Sequence, residues 1–248
     1  VTLTAGVPDG AQSSFHIAHQ VIAADGKDAA KLTFRARDTN GNPVSGIAGQ
    51  LTFTATDSSG VADSNAAVSA VTESRGHPGL YNATLTGTHA GSDTVVPQYT
   101  GAPVGTLTGT VTLTAGVPDG AQSSFHIAHQ VIAADGKDAA KLTFRARDTN
   151  GNPVSGIAGQ LTFTATDSSG VADSNAAVSA VTESRGHPGL YNATLTGTHA
   201  GSDTVVPQYT GAPVGTLTGT VTLTAGVPDG AQSSIVTDRT SYTSGEDM

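Results

Sequence analysis

Apolar and polar residues alternate along this chain with a period of two. Ala30, Leu32, Phe34 and Ala36 interleave with Lys31, Thr33, Arg35 and Arg37, and Leu51, Phe53 and Ala55 with Thr52, Thr54 and Thr56. Tyr81, Ala83 and Leu85 interleave with Asn82, Thr84 and Thr86; Leu107, Gly109, Val111 and Leu113 with Thr106, Thr108, Thr110, Thr112 and Thr114. A period of two sends one set to the buried face of a strand and the other to solvent, where β-branched Thr is at home. The 3.6-residue period of an amphipathic helix is nearly absent. Turn residues punctuate the runs at Asp25-Gly26, Asn40-Gly41-Asn42-Pro43, Ser59-Gly60, His77-Pro78-Gly79, Ala90-Gly91 and Gly101-Ala102-Pro103. Strands are expected near 15–22, 29–37, 44–48, 50–56, 67–73, 80–87, 93–99 and 104–115. Seven or eight short strands in about a hundred residues predict an immunoglobulin-like sandwich. Leu32, Phe34, Leu51, Phe53, Tyr81, Leu85, Val111 and Leu113 should fill its core.

The whole pattern then recurs. Val1 to Thr110 return unchanged as Val111 to Thr220, and a third copy runs from Val221 to Ser234 before the sequence diverges. This period is far longer than the roughly 20–50 residues of a solenoid repeat and matches one independently folding domain. The expected fold class is all-β: tandem immunoglobulin-like β-sandwiches, seven to eight strands each, in an elongated array. The expected domains are 11–117 and 121–227, with 1–10 the last strand and linker of a preceding domain and 228–248 the linker and first strand of a following, non-identical one. The chain thus reads as a piece of a longer array. Val1 to Ala5 duplicates the closing strand Val111 to Ala115, so without its own sandwich it should be extended and unpaired. In the linker Gly116 to Ser124, Pro118 fixes one φ while Gly116 and Gly120 loosen the chain. A strand of about eight residues spans roughly 26 Å, so each sandwich with its linker should add about 35–45 Å to a rod of limited bending.

Several segments resemble the tandem bacterial Ig-like domains of the intimin/invasin family of inverse-autotransporter adhesins. They are Ile22-Ala23-Ala24-Asp25-Gly26, Asp38-Thr39-Asn40-Gly41-Asn42-Pro43-Val44, Gly79-Leu80-Tyr81-Asn82-Ala83-Thr84-Leu85-Thr86, and Ala90-Gly91 before Thr94-Val95. The resemblance covers both complete repeats, and the tail Ile235 to Met248, with Tyr242-Thr243-Ser244-Gly245-Glu246-Asp247, looks like the first strand of another member. It implies a Gram-negative outer-membrane β-barrel towards the N-terminus, an extracellular Ig-like stalk, and host binding concentrated in a C-terminal tip. Nothing here resembles the lectin-like tip.

Charge narrows the partners. The net charge of −9 divides into −3 per repeat and −3 in the tail after Thr220. A mild, evenly spread acidity argues against nucleic acid and against direct contact with an anionic membrane, both of which need clustered Lys and Arg. No apolar run approaches the roughly 18 residues of a membrane span. The chain has no cysteine, which suits a protein exported through an oxidising compartment and a cytosolic protein equally. Abundant Thr, Ser, Ala and Gly lean extracellular.

Candidate chemistry is sparse. Asp38-Thr39-Asn40-Gly41-Asn42 offers several side-chain oxygens on one turn, as calcium loops do, but lacks the later bidentate Glu; a hairpin turn whose Asp and Asn satisfy local amides is the simpler account. Asp57 and Asp63 are a similar calcium candidate, and Asp119 would place an ion in the linker. His16 and His19, three apart on a strand, project to opposite faces; with His77 and His89 they read as scattered surface histidines rather than zinc ligands. The stripe Lys31, Thr33, Arg35 and Arg37 could hold an acidic partner or glycan, or pair across strands with carboxylates such as Glu73. Threonine rows suggest ice binding, but a twisted sandwich supplies too few flat rows. Asn82-Ala83-Thr84 matches a glycosylation sequon inside an expected strand. No Gly-x-Ser-x-Gly, phosphate-binding glycine loop or nucleophilic cysteine is present, so neither catalysis nor a cofactor or metal is expected.

Identical consecutive domains favour reach or avidity over catalysis. The leading expectation is a monomeric stalk whose partners are the neighbouring Ig-like domains of its own chain, carrying an adhesive tip at the bacterial cell surface. The alternative is that each repeat itself binds a host protein or glycan, with avidity from duplication. A calcium-stiffened repeat is a third possibility.

Overall fold

The computed structural model describes residues 4–236. Val1 to Leu3 of the orphan segment and 237–248 of the tail, where part of the expected following strand falls, lie outside the described residues; Thr4 and Ala5 are exposed and carry no strand.

The alternating runs form two sheets in each copy. Strands β1 (Ser14–Ala18), β2 (Val21–Ala23), β3 (Ala30–Arg35), β4 (Leu51–Thr56), β5 (Ala66–Val68), β6 (Thr72–Glu73), β7 (Leu80–Gly87), β8 (Gly91–Tyr99), β9 (Ala102–Pro103) and β10 (Gly109–Thr114) make up the first. One sheet has the order β1-β3-β7-β5 with β6 beside β7, and the other β2-β10-β8-β4 with β9 beside β8. The second copy repeats this layout from β11 (Ser124–Ala128) to β20 (Gly219–Thr224). The register holds the pattern to its purpose: Phe34 faces Phe15 and Tyr81, and Leu32 faces Ile17 and Ala83, so apolar residues gather on one face. All eight expected core residues are buried, none more than 6 % exposed. Phe15 stacks on Phe53 from the opposite sheet with ring centroids 5.4 Å apart, joining the two layers.

Four expected strands are corrected, of which 67–73 breaks into β5 and β6, both paired with β7. The run 15–22 is two strands in different sheets: β1 pairs with β3, then β2 runs parallel to β10. The break falls at His19, whose φ of 57 turns the chain out of one sheet into the other. One segment thereby covers an edge of both sheets. The run 44–48 forms no strand, because Gly46 has a φ of 76 and a 3-10 turn follows at Ala48–Gln50; Val44 and Ile47 are buried all the same. The run 104–115 narrows to β10, since Gly105 has a φ of 60.

The linker is less free than its glycines suggest. The Asp119 amide donates to Arg147 O at 2.7 Å, and the Ser123 hydroxyl and Arg147 amide bond each other's backbone and side chain. Gly120 lies so close to Gly215 that a Cβ there would stand 2.6 Å from the Gly215 Cα. Its lack of a side chain therefore serves close packing rather than flexibility.

Candidate functional site at the repeat junction

Asp38 is the organiser of its turn. Its Oδ1 accepts the Asn40 and Asn42 amides, both at 2.9 Å, and its Oδ2 accepts the Asn42 side-chain amide and the Gly6 amide, both at 3.1 Å. Gly41 supplies the positive φ of 79 that closes the turn. These bonds, the Asn42 side chain foremost, hold the Asp38 carboxyl below its usual pKa. The carboxylate is spent on amide donors, as a hairpin turn requires.

In the second copy the same turn, Asp148 to Asn152, reaches across to the first repeat. Asn150 Nδ2 donates to Ala24 O at 2.7 Å, and Asn152 Nδ2 to Thr88 O at 3.0 Å, while Asn152 Oδ1 accepts the Ala90 amide at 2.9 Å. Asp148 Oδ2 holds Asn152 Nδ2 and the linker amide of Gly116, both at 2.9 Å. Asn152 thus has its amide fully used, which is what a buried polar side chain needs. Because the copies are identical in sequence, differences between them isolate the contact. Asn152 is 3 % exposed while Asn42 is exposed; Ala24 is 2 % exposed while Ala134 is half-buried. Ala90 is half-buried and Ala200 exposed, and Ala115 packs against the second core while Ala5 is exposed. Sequence reasoning weighed calcium at the Asp38 turn and preferred a hairpin whose Asp and Asn satisfy local amides, as these bonds do, but it overlooked Ala24, Thr88 and Ala90, which act through backbone atoms. The available signal was a turn carrying two asparagines, Asn40 and Asn42, when Asp38 already satisfies its amides.

Of the other nominated residues, Asp57 and Asp63 gather around Asp93, each with one carboxylate oxygen spent on its own turn. Asp57 Oδ1 accepts Ser59 N, Ser59 Oγ and Val61 N, Asp63 Oδ1 accepts the backbone and side-chain amides of Asn65, and Asp119 Oδ1 accepts Ala121 N and Gln122 N. His16, His19, His77 and His89 are all exposed. Among the described residues no group of three His, Cys, Asp or Glu is placed to hold a metal ion. Glu73 does not serve the basic stripe: it accepts Ser45 Oγ at 2.6 Å, Gly46 N at 2.9 Å and Gly79 N at 2.8 Å, pinning the loop that replaced the expected strand. Lys31 stands opposite Ala18 and Thr84, and Arg35 opposite Ser14 and Leu80, so neither faces a carboxylate in register. Asn82 lies half-buried within β7, where its Oδ1 accepts from Thr33 Oγ1 at 3.3 Å.

Asp93 itself, on β8, is 2 % exposed and its Oδ2 has no partner. Burial, then the charges of Asp63 and Asp57, push it up to about 6, with exposed His89 pulling the other way. Its equivalent Asp203 lines a polar pocket of about 420 Å³ with Asp167, Asp173, Asn175 and His199.

Residues 9–116 and 119–226 each match the family model for invasin, domain 3. Among solved structures, invasin, described as a bacterial integrin-binding protein, is 29% identical with a TM-score of 0.69, covering 89% of this chain and 41% of its own. InvD of Yersinia pseudotuberculosis is 29% identical (TM-score 0.64; 92% of this chain, 62% of its own), and the Escherichia coli adhesin FdeC 30% identical (TM-score 0.62; 90% and 68%). The chain spans about two fifths of the length of the invasin structure. Among the described residues no helix is long and apolar enough to cross a membrane.

Proposed function

Since the chain belongs to the family of invasin domain 3, we propose that its repeats are non-enzymatic spacer domains of a bacterial surface adhesin. They stand outside the cell, joined to an outer-membrane anchor and presenting a distal tip to host cells. The observation that carries this reading is the junction, where one end of a repeat is docked onto the opposite end of its identical neighbour through Asn150 and Asn152. End-to-end docking adds length with every copy, and it spends the surface of each repeat on its neighbour rather than on a ligand. Copy number then sets reach.

Small-angle scattering on the two-repeat protein tests the spacer reading. A maximum dimension near twice that of one repeat is expected; a compact particle with the repeats side by side would overturn it. Solid-phase binding of a single repeat to host-cell proteins should be absent. Saturable binding would instead favour repeats that hold a host ligand themselves.

A further inference from the structure

Three carboxylates are brought to one end of the β4–β8 ladder in each repeat. β4 and β8 pair from Leu51↔Tyr99 to Thr56↔Thr94, and one rung further the same register sets Asp57 against Asp93. The chain then folds back on β4: Ala62 bridges Thr56, and the Asp63 amide donates to Ala55 O at 3.1 Å. Asp57 and Asp63 each place Oδ1 on donors of their own turn, which leaves Oδ2 of each for another partner.

Asp93 differs in kind. The buried face of β8 runs Asp93, Val95, Pro97, and Asp93 stands opposite Val111 of β10, so the sandwich itself calls for an apolar residue there. Instead it holds a carboxylate that is 2 % exposed, with an Oδ2 that meets no donor among the described residues. Asp63 stands within hydrogen-bonding reach of it and Asp57 adds its charge, but all three groups are acceptors. The second copy repeats the arrangement at Asp203, equally buried and without a partner, which lines a polar pocket of about 420 Å³ with Asp167, Asp173 and Asn175. A buried carboxylate without a donor, facing like charges, is costly unless a cation joins it.

We propose that Asp93 and Asp63, with Asp57 beside them, form a calcium site in each repeat, the second being Asp203, Asp173 and Asp167. The donors on offer are carboxylate oxygens and neutral oxygens. Asn65, for example, gives its side-chain NH2 to Asp63 Oδ1 at 3.1 Å and keeps its carbonyl oxygen free to coordinate. Such hard donors suit calcium or magnesium rather than copper or zinc. Among the described residues no three acidic or imidazole groups form a ready cage, so the ion must take two carboxylates and complete its shell with neutral oxygens and water. Calcium accepts an irregular shell of about six to eight oxygens, whereas magnesium demands a near-ideal octahedron. So few charged ligands set the affinity in the range of extracellular modules, on the order of 10⁻⁴–10⁻³ M. The bound ion ties the 57–65 loop to β8 and offsets the repulsion among the carboxylates. The site lies within one repeat and does not rest on the spacer reading.

Calorimetric titration of the chelator-treated two-repeat chain with calcium chloride should show about two equivalent ions per chain. Calcium at ten times its Kd should raise the folded-to-unfolded ratio of each repeat about tenfold, read as a higher urea midpoint; magnesium at the same concentration should shift it far less. The Asp93→Asn/Asp203→Asn pair should be at least as stable as the parent in chelator and should lose the calcium response. Asp63→Asn/Asp173→Asn leaves the buried carboxylate in place and should weaken calcium binding about tenfold or more. Asp9→Asn/Asp119→Asn alters aspartates that only cap the linker turns and should leave the response intact. A parent that ignores calcium would overturn the proposal. So would a response that survives in the Asp93→Asn/Asp203→Asn pair, which would trace it to the overall charge of −9, or one that magnesium matches.

Discussion

The Tyr81 hydroxyl donates to the Val44 carbonyl at 2.8 Å and accepts the Ile47 amide at 3.2 Å, tying β7 to a loop that has no strand of its own. Tyr81 is fully buried, and that burial, opposed by the Ile47 bond and aided by nearby Glu73, raises its pKa. Tyr81→Phe would keep the ring and leave a buried carbonyl and a buried amide without partners. The expected loss is about 1–3 kcal/mol for that repeat, read from urea unfolding of a single repeat. Tyr191→Phe should cost the second repeat the same, since Tyr191 makes the same two bonds at 2.8 and 3.2 Å.

Gly120 gives a second test, because flexibility and close packing predict opposite outcomes for alanine. A linker glycine kept for freedom should accept Ala with a small gain. The Gly120 approach to Gly215 leaves only 2.6 Å for the new Cβ, so Gly120→Ala is expected to cost the second repeat about 1–3 kcal/mol. Gly91→Ala, in β8 with nothing within 4 Å of a Cβ, should change stability by less than about 0.5 kcal/mol. Thermal melts of the two variants against the parent decide it.

Asp93 predicts a pH dependence of unusual sign. Its folded pKa of about 6 lies above its unfolded value of 3.8. The folded repeat therefore binds more protons than the unfolded chain between those values, and stability falls as pH rises through about 6. Asp93→Asn removes the buried charge and should stabilise the first repeat at pH 8 by on the order of 2 kcal/mol, with the gain vanishing near pH 4. Asp203→Asn should act in the same direction, as Asp203 is raised by the same burial and by Asp173 and Asp167. Urea midpoints across that range would show it; a destabilised variant at pH 8 would mean the ionised form has a partner in solution.

The core was legible because period-two alternation is itself the burial pattern: Leu32 and Phe34 could only share a face, and Lys31 and Arg35 the other. The switch between sheets was not, since it depends on one φ at His19, and His, though enriched among left-handed residues, adopts that conformation in only a small minority of positions. Val44 and Ile47 read as strand by their apolarity, yet the Val44 carbonyl and the Ile47 amide go to the Tyr81 hydroxyl, and such a tertiary partner leaves no local trace. The junction was hidden for a further reason. Identical repeats give Asn42 and Asn152 the same neighbours in sequence, so only the folded chain shows that one is exposed and the other covered. What the first repeat contributes, through Ala24, Thr88 and Ala90, is backbone, which no residue type advertises.

Asp148 couples the turn to the junction, and so it separates domain stability from docking. Its buried carboxylate accepts Gly116 N, Asn150 N, Asn152 N and Asn152 Nδ2, each at 2.9 Å. Burial works against its charge, but the bonds from the Asn152 side chain and the Gly116 and Asn152 amides outweigh it and hold the pKa below the usual value. A lowered pKa means its contribution is present above the unfolded value and is lost as pH falls through the folded one. Asp148→Asn would set an NH2 against one pair of these donors, whichever way the amide is turned. The expected cost is about 1–3 kcal/mol in the second repeat, together with loss of protection at the Ala90 amide, because Asn152 is no longer held in place. Asp38→Asn should loosen its own turn and release Gly6 while leaving Ala90 protected. Hydrogen exchange on the two variants reads both effects at once: equal deprotection of Ala90 by both substitutions would show that the aspartates act only on global stability and not on the alignment of Asn152.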